Sequence, residues 1–124
     1  MEFSSVIPPG RRMIDGYPPG GFRIAGTVFQ GPMLVWPEDQ APWSLQRIEE
    51  LSLAHLDPVR AIDTPVEVLL IGCGARMTLL PSALRRQIRE AGIGMDAMDT
   101  GAACRTYNVL ISEGRRVAAA LLPV

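Results

Sequence analysis

Gly72-Cys73-Gly74 follows directly on the apolar run Val68-Leu69-Leu70-Ile71. Open α/β sheets hold ligands at this kind of position, beyond the carboxyl ends of their strands. A thiol between two glycines acts as a nucleophile only if it is reachable and ionised; in apolar surroundings it is a small buried hydrophobe. Both readings of Cys73 stay open, buried free thiols being the usual state of cytosolic cysteines. A dinucleotide fingerprint would need a third glycine at position 77, which is Met77, and a helix opening at once, whereas the next helix signal is Pro81. A Rossmann site is therefore set aside, and a tight turn that uses the conformational freedom of glycine is the structural reading.

The second place where residue types could do chemistry is Asp99-Thr100. Either can cap a helix starting there, and a helix start presents unpaired N–H groups and the positive end of a dipole. If that helix follows a strand parallel to the apolar run, its start lies beside the glycine turn, with Arg76 near enough in sequence to add a guanidinium. Gly72, Cys73, Gly74, Arg76, Asp99 and Thr100 then form a candidate anion-binding set, suited to phosphate, sulfate or a carboxylate. The plainer alternative is that Asp99 or Thr100 satisfies the helix donors alone.

Other residues narrow the chemistry. His55 is the one histidine, and Asp57 is too close in sequence to share a helix face with it, so no metal ligand set follows. Cys73 and Cys104 stand 31 positions apart, which suits neither a zinc site nor a close redox pair. All 12 basic residues are arginine, which excludes Schiff-base and P-loop lysine chemistry. A Ser-His or Cys-His pair would need His55 to find its partner in space. Residue types therefore point to no metal, no cofactor and no catalytic set. Trp36 and Trp43 flank a proline-rich loop; either is a candidate protein contact if partly exposed, although tryptophan more often fills a core. Arg85, Arg86 and Arg89 make a basic patch whose default reading is solvation.

Several elements must position these residues. Residues 1–16 carry prolines, glycines and Arg11-Arg12 without a period, and read as a flexible arm before a single α/β domain over 17–124. Stretches 22–29 and 33–36 read as strands of an N-terminal β-hairpin joined through Gln30-Gly31-Pro32. Residues 37–42 read as a loop, 43–46 as a short strand, and Ser52 as the cap of a short helix through Val59. The apolar stretch 66–71 predicts a central strand buried on both faces. A helix from Pro81 to Gly92 and a parallel strand over 95–98 follow. The next helix, from Thr100 to Gly114, puts Ala103, Tyr107 and Leu110 on one stripe and Arg105, Asn108 and Ser112 on another. A last strand covers 116–122. The expected fold is a mixed β-sheet with two main helices packed on it, and Val68, Leu70, Leu84, Ile88, Tyr107 and Leu110 are expected in one core.

The bulk properties agree with one folded domain. A length of 124 residues suffices for one core, and 48% hydrophobic with 20% charged residues excludes disorder. A net charge of −1 provides no field to draw the chain onto nucleic acid. No apolar stretch approaches the roughly twenty residues needed to span a bilayer. The start, from Met1 to Gly10, lacks the basic flank and apolar core of a secretory signal, so a cytoplasmic protein is expected.

The stretch from Val68 to Arg76, then Gly92-Ile93-Gly94, then Met98-Asp99-Thr100-Gly101-Ala102-Ala103-Cys104-Arg105-Thr106-Tyr107-Asn108-Val109-Leu110, resembles the small α/β proteins related to mitochondrial complex I assembly factor 3. The resemblance runs from about Phe22 to Leu122 and includes Glu113-Gly114-Arg115 and the alanine-rich final strand. The family typically has Gly-Thr-Gly where this chain has Gly72-Cys73-Gly74, while both glycines and Arg76 match. What the resemblance implies is a mixed sheet with two main helices and a β-hairpin. It further implies a non-catalytic protein-interaction or assembly module, with a respiratory complex I component among its candidate partners. The alternative from a different class is a small-anion binder or enzyme using the 72–74 turn, Arg76 and the helix start at Thr100.

Overall fold

Backbone pairing begins earlier than the residue pattern suggests. The structure, a computed structural model, describes residues 11–124, and Ile14–Gly16 is already a strand, β1. It pairs antiparallel with β2 (Gly21–Ile24), which pairs with β3 (Thr27–Gln30) in a small three-stranded sheet. Residues 22–29, expected as one strand, are thus two strands folded against each other at Ala25-Gly26. Both turn residues have positive φ, 49° at Ala25 and 85° at Gly26, as a two-residue type I′ connection requires. The Gly26 N–H donates to Asp15 Oδ2 at 2.6 Å, which ties the turn to β1. Gln30-Gly31-Pro32 carries the chain from one sheet to the other and does not close a hairpin.

The larger sheet holds β4 (Met33–Trp36), β5 (Asp39–Pro42), β6 (Val68–Gly72), β7 (Met95–Met98) and β8 (Val117–Leu121), in the order β5-β4-β8-β6-β7. β6 runs parallel to both β7 and β8, while β4 is antiparallel to β8 and β5. The expected loop 37–42 is corrected: β5 pairs with β4 from Trp36↔Asp39 to Met33↔Pro42. Its polar, proline-ended sequence suits a sheet edge, where one side of the backbone needs no partner. The short strand expected at 43–46 is absent; Trp43 and Leu45 instead turn into the core at 3% and 1% exposure. Two 3₁₀ turns, Ile48–Glu50 and Leu53–Leu56, lead into the short helix α1 (Asp57–Arg60). Helices α2 (Ser82–Glu90) and α3 (Thr100–Ser112) connect the parallel strands.

The single expected core is two cores, one on each face of the larger sheet. Leu34, Leu69, Ile71, Ala118 and Ala120 face α1, α2 and the 3₁₀ turns, where Leu84 and Ile88 lie. Val35, Leu70, Ala119 and Leu121 face α3 and the small sheet, where Tyr107, Ile14 and Phe22 lie. Val68 and Leu110 are only half-buried, and Ile111 takes the inner position expected of Leu110.

Asn108, which helix period sets on a different stripe from Tyr107, is 4% exposed. Its Oδ1 accepts from the Ile14 N–H at 3.0 Å and its Nδ2 donates to the Ile14 carbonyl at 2.8 Å. Next to it, the Tyr107 hydroxyl donates to the Arg12 carbonyl at 2.9 Å. These bonds hold β1 on α3, and Met13 and Ile14 are buried. The arm boundary at residue 16 is therefore corrected, because residues 12–16 belong to the packed domain; residues 1–10 lie outside the described residues.

Asn108→Ala leaves the buried Ile14 N–H and carbonyl without their side-chain partner and should cost about 2–5 kcal/mol in urea unfolding. A loss below about 0.5 kcal/mol, the range of surface substitutions, would show that the clamp contributes nothing. Removing residues 1–16 should weaken or abolish the cooperative transition, since β1 and its buried side chains go with them; an unchanged midpoint would contradict the packing of β1.

Candidate functional site

The carboxyl ends of β6 and β7 and the first turn of α3 meet at the 72–74 turn, and what joins them is a closed set of hydrogen bonds. Cys73 N–H donates to the Met98 carbonyl at 2.8 Å, and Thr100 N–H to the Gly74 carbonyl at 2.8 Å. The Thr100 Oγ1 accepts from Gly74 N–H at 2.8 Å and donates to the Leu122 carbonyl at 2.6 Å. Leu122 N–H returns to the Gly72 carbonyl at 3.0 Å. Asp99 is the N-cap, its Oδ1 accepting from Ala102 N–H at 2.9 Å. Thr100 is fully buried, so its hydroxyl is satisfied wholly within the protein.

The two glycines serve different needs. Gly74 has φ +99°, a conformation that side chains resist. Gly72 lies in the strand, and a Cβ there would stand 2.9 Å from both Leu121 Cδ2 and Thr100 Oγ1. It is glycine so that α3 can start against the strand. Gly101 is similar: a Cβ would meet the Tyr17 hydroxyl at 2.9 Å and Arg105 Nη1 at 3.3 Å. Tyr17 carried no sequence signal, because only the small sheet brings it to the helix start.

The six sequence candidates divide. Gly72, Cys73, Gly74, Asp99 and Thr100 come together, and the amides of Cys73, Gly74, Thr100 and Ala102 are all engaged internally. Arg76 is exposed and makes no hydrogen bond or ion pair among the described residues. Cys73 is buried, and burial pushes its thiol pKa up, which favours the unreactive protonated form. Burial pushes Cys104 further, up to about 12. Trp43 cannot offer the contact surface expected of it, since it is buried with Nε1 donating to the His55 carbonyl at 2.9 Å. Trp36 is half-buried at the end of β4. His55 lies on the first turn after Ser52, where its Nδ1 accepts from the Ser52 N–H at 3.0 Å. Among the described residues no cluster of three His, Cys, Asp or Glu could hold a metal, and no helix is long and apolar enough to cross a membrane.

Thr100→Val keeps the shape and removes both hydroxyl bonds, leaving Gly74 N–H and the Leu122 carbonyl without it, and should cost about 2–4 kcal/mol in urea unfolding. Thr100→Ser keeps the hydroxyl and should cost less; equal losses would assign the effect to packing. A pH series tests the buried thiol. Cys104 rises from the ordinary 9.0 to about 12 on folding, so its preference for the folded state is complete below pH 9 and is lost as pH climbs toward 12. Stability should fall over that window by about 1.4 kcal/mol per pH unit on its account. Burial raises Tyr107 in the same sense. Cys104→Ala should flatten the alkaline slope, and an unchanged slope would contradict the assignment.

The chain matches, over residues 14–122, the family described as "Protein of unknown function (DUF498/DUF598)". It is 44% identical over 122 residues to an uncharacterized protein of Rhodobacter capsulatus, covering 98% of this chain and 89% of that protein. It is 35% identical over 111 residues to NADH dehydrogenase (ubiquinone) 1 alpha subcomplex assembly factor 3 of Danio rerio, covering 90% of this chain and 64% of that protein. The chain thus spans less than two thirds of the length of that relative. A crystal structure from Bordetella parapertussis matches with TM-score 0.84 and 36% identity over 93% of this chain and 98% of that one. The solution structure of a Mth938-like domain from Bordetella pertussis matches with TM-score 0.78 and 31% identity over 99% of this chain and 92% of that one. With the family match running from β1 through β8 on a fold shared with these solved structures, the chain belongs to the DUF498/DUF598 family.

Proposed function

We propose that this chain is a protein-interaction module that supports assembly of a respiratory NADH dehydrogenase and catalyses no reaction of its own. The observation that carries this reading is the similarity to the assembly factor, which extends over 90% of the chain. The chemistry of the glycine turn supports it: Gly72, Gly74, Asp99 and Thr100 are occupied in holding β6, β8 and α3 together, so recognition falls to the surface. Trp36, half-buried, is the tryptophan that can add area to such a contact.

A second reading keeps the turn as the place where a small anion binds. In its favour, Gly74 and the start of α3 are in direct contact, with the exposed Arg76 two residues on. Against it stand the internal bonds already made by the amides there. Thermal unfolding in phosphate and sulfate, against chloride at matched ionic strength, separates the two. A specific upward shift lost in Arg76→Ala establishes the anion site, and equal shifts in both proteins are a general salt effect.

Deleting the gene in the source cell tests the first reading. Fully assembled NADH dehydrogenase on native gels, and NADH:quinone activity in membranes, should fall several-fold and return with the intact gene. Unchanged assembly in the deletion strain would overturn it.

A further inference from the structure

We infer that the segment 76–81 and the outer face of α2 form the docking surface for an amphipathic acidic segment of a partner protein, an inference that rests on the protein-interaction reading above. Between the glycine turn and α2 the chain has no regular structure, and it holds apolar side chains outward. Met77 is 54% and Leu79 71% exposed. Beside them lies a groove of about 230 Å³ whose apolar wall is formed by Ile48, Leu51, Leu80, Pro81 and Leu84. Apolar surface presented next to an apolar groove is what a partner's apolar side chains would cover.

Charge sets the chemistry of that partner. Arg85, Arg86 and Arg89 occupy the outer face of α2, opposite the buried Leu84 and Ile88, and Arg76 adjoins Met77. None of these four arginines forms an ion pair among the described residues, whereas Arg60, Arg115 and Arg116 meet carboxylates at 3.6, 3.8 and 2.6 Å. Arg85 is held at the groove, its Nε donating to the Leu80 carbonyl at 3.1 Å. Arg85 and Arg89 also border a second groove of about 290 Å³ on the side of α2 toward Ile93 and Met95. The acidic residue lining the first groove, Glu49, is within 3.7 Å of Arg47 and so is already countered; Glu90, at the end of α2, is the carboxylate on the same helix. An excess of free guanidinium beside exposed leucine and methionine selects a segment with carboxylates flanking an apolar stripe, the pattern of an acidic amphipathic helix. An acidic lipid surface would suit the charges, but α2 turns its apolar stripe to the core, which leaves Met77 and Leu79 and no amphipathic helix face to insert.

The probe is a fluorescein-labelled peptide of about five helical turns, with leucines on one stripe and glutamates beside it, compared with a twin carrying lysines for the glutamates. The glutamate peptide should bind more tightly than the lysine twin, and amide shifts on titration should be confined to residues 47–51, 76–81 and α2. Leu79→Ser and the double change Arg85→Glu with Arg89→Glu should each weaken binding by about tenfold or more, which is about 1.4 kcal/mol, while circular dichroism and thermal unfolding stay native. If the double variant unfolds, Met77→Ser with Leu79→Ser takes its place. Equal binding of both peptides, shifts elsewhere, or no loss in the variants would overturn the surface. So would sedimentation showing that Leu79 mediates self-association, or binding to phosphatidylglycerol vesicles in preference to the peptide. In the deletion strain, the folded variants should fail to restore NADH dehydrogenase assembly. Full restoration by them would overturn this surface and leave the assembly reading intact, whereas unchanged assembly in the deletion strain itself would remove that reading instead.

Discussion

One buried hydroxyl fixes where three elements end. Parallel strands β6 and β7 finish at the same edge of the sheet, β8 finishes beside them, and α3 begins there; such an edge usually stands open. Here Thr100 Oγ1 takes the Gly74 N–H and gives its own proton to the Leu122 carbonyl, drawing the turn, the helix start and the chain after β8 onto one atom. The bond dictates its surroundings. Gly72 has to lack a Cβ because Thr100 sits against it, and Gly74 has to accept φ +99° because its N–H must face the hydroxyl. The cysteine between them is carried into apolar surroundings, which keeps its thiol protonated.

From that anchor α3 is aimed along the sheet over Ala119, whose small side chain allows close approach, and its far half receives the small sheet. Tyr107 and Asn108 then hold β1 by its backbone, so the N-terminal strands depend on a helix nearly a hundred residues later in the chain. At the opposite edge Arg116 grips Glu38 with two bonds of 2.6 and 2.9 Å and also donates to the carbonyls of Thr64 and Pro65. That hydrogen bonding holds the Glu38 carboxyl below the usual carboxylate range. The face carrying α3 is thus closed by polar clamps. On the face carrying α2, Leu84 and Ile88 turn into the core, while Met77, Leu79 and the arginines of α2 stay exposed.

What the residues announced in advance was local. The apolar run into Gly72 marked β6, Asp99 marked the start of α3 by its capping chemistry, and Gly92 and Gly114, both with positive φ, marked helix ends. What stayed hidden depended on distant partners. Ala25 in a left-handed turn is not a residue that signals a hairpin, so β2 and β3 merged into one apparent strand. β5 is polar and ends in proline, and only pairing with β4 makes it a strand. The role of Asn108 stayed hidden because helical period cannot tell a polar residue facing water from one facing a backbone that needs it. The glycine turn and Asp99-Thr100 were legible as neighbours, since parallel strands and a crossover helix force that proximity. Which donors remain free there is decided by the Thr100 rotamer and by Leu122, and neither is written in the local pattern.

The central claim is that this corner is part of the core and opens only when the whole domain unfolds. Native-state hydrogen exchange of the Cys73, Gly74, Thr100 and Leu122 amides measures it directly. Their opening free energies should equal those of Leu70 and Ile71 in β6 and move with them as denaturant is added. Exchange of these four amides at a much lower free energy, independent of denaturant, would mean that the corner opens locally, and would contradict the account.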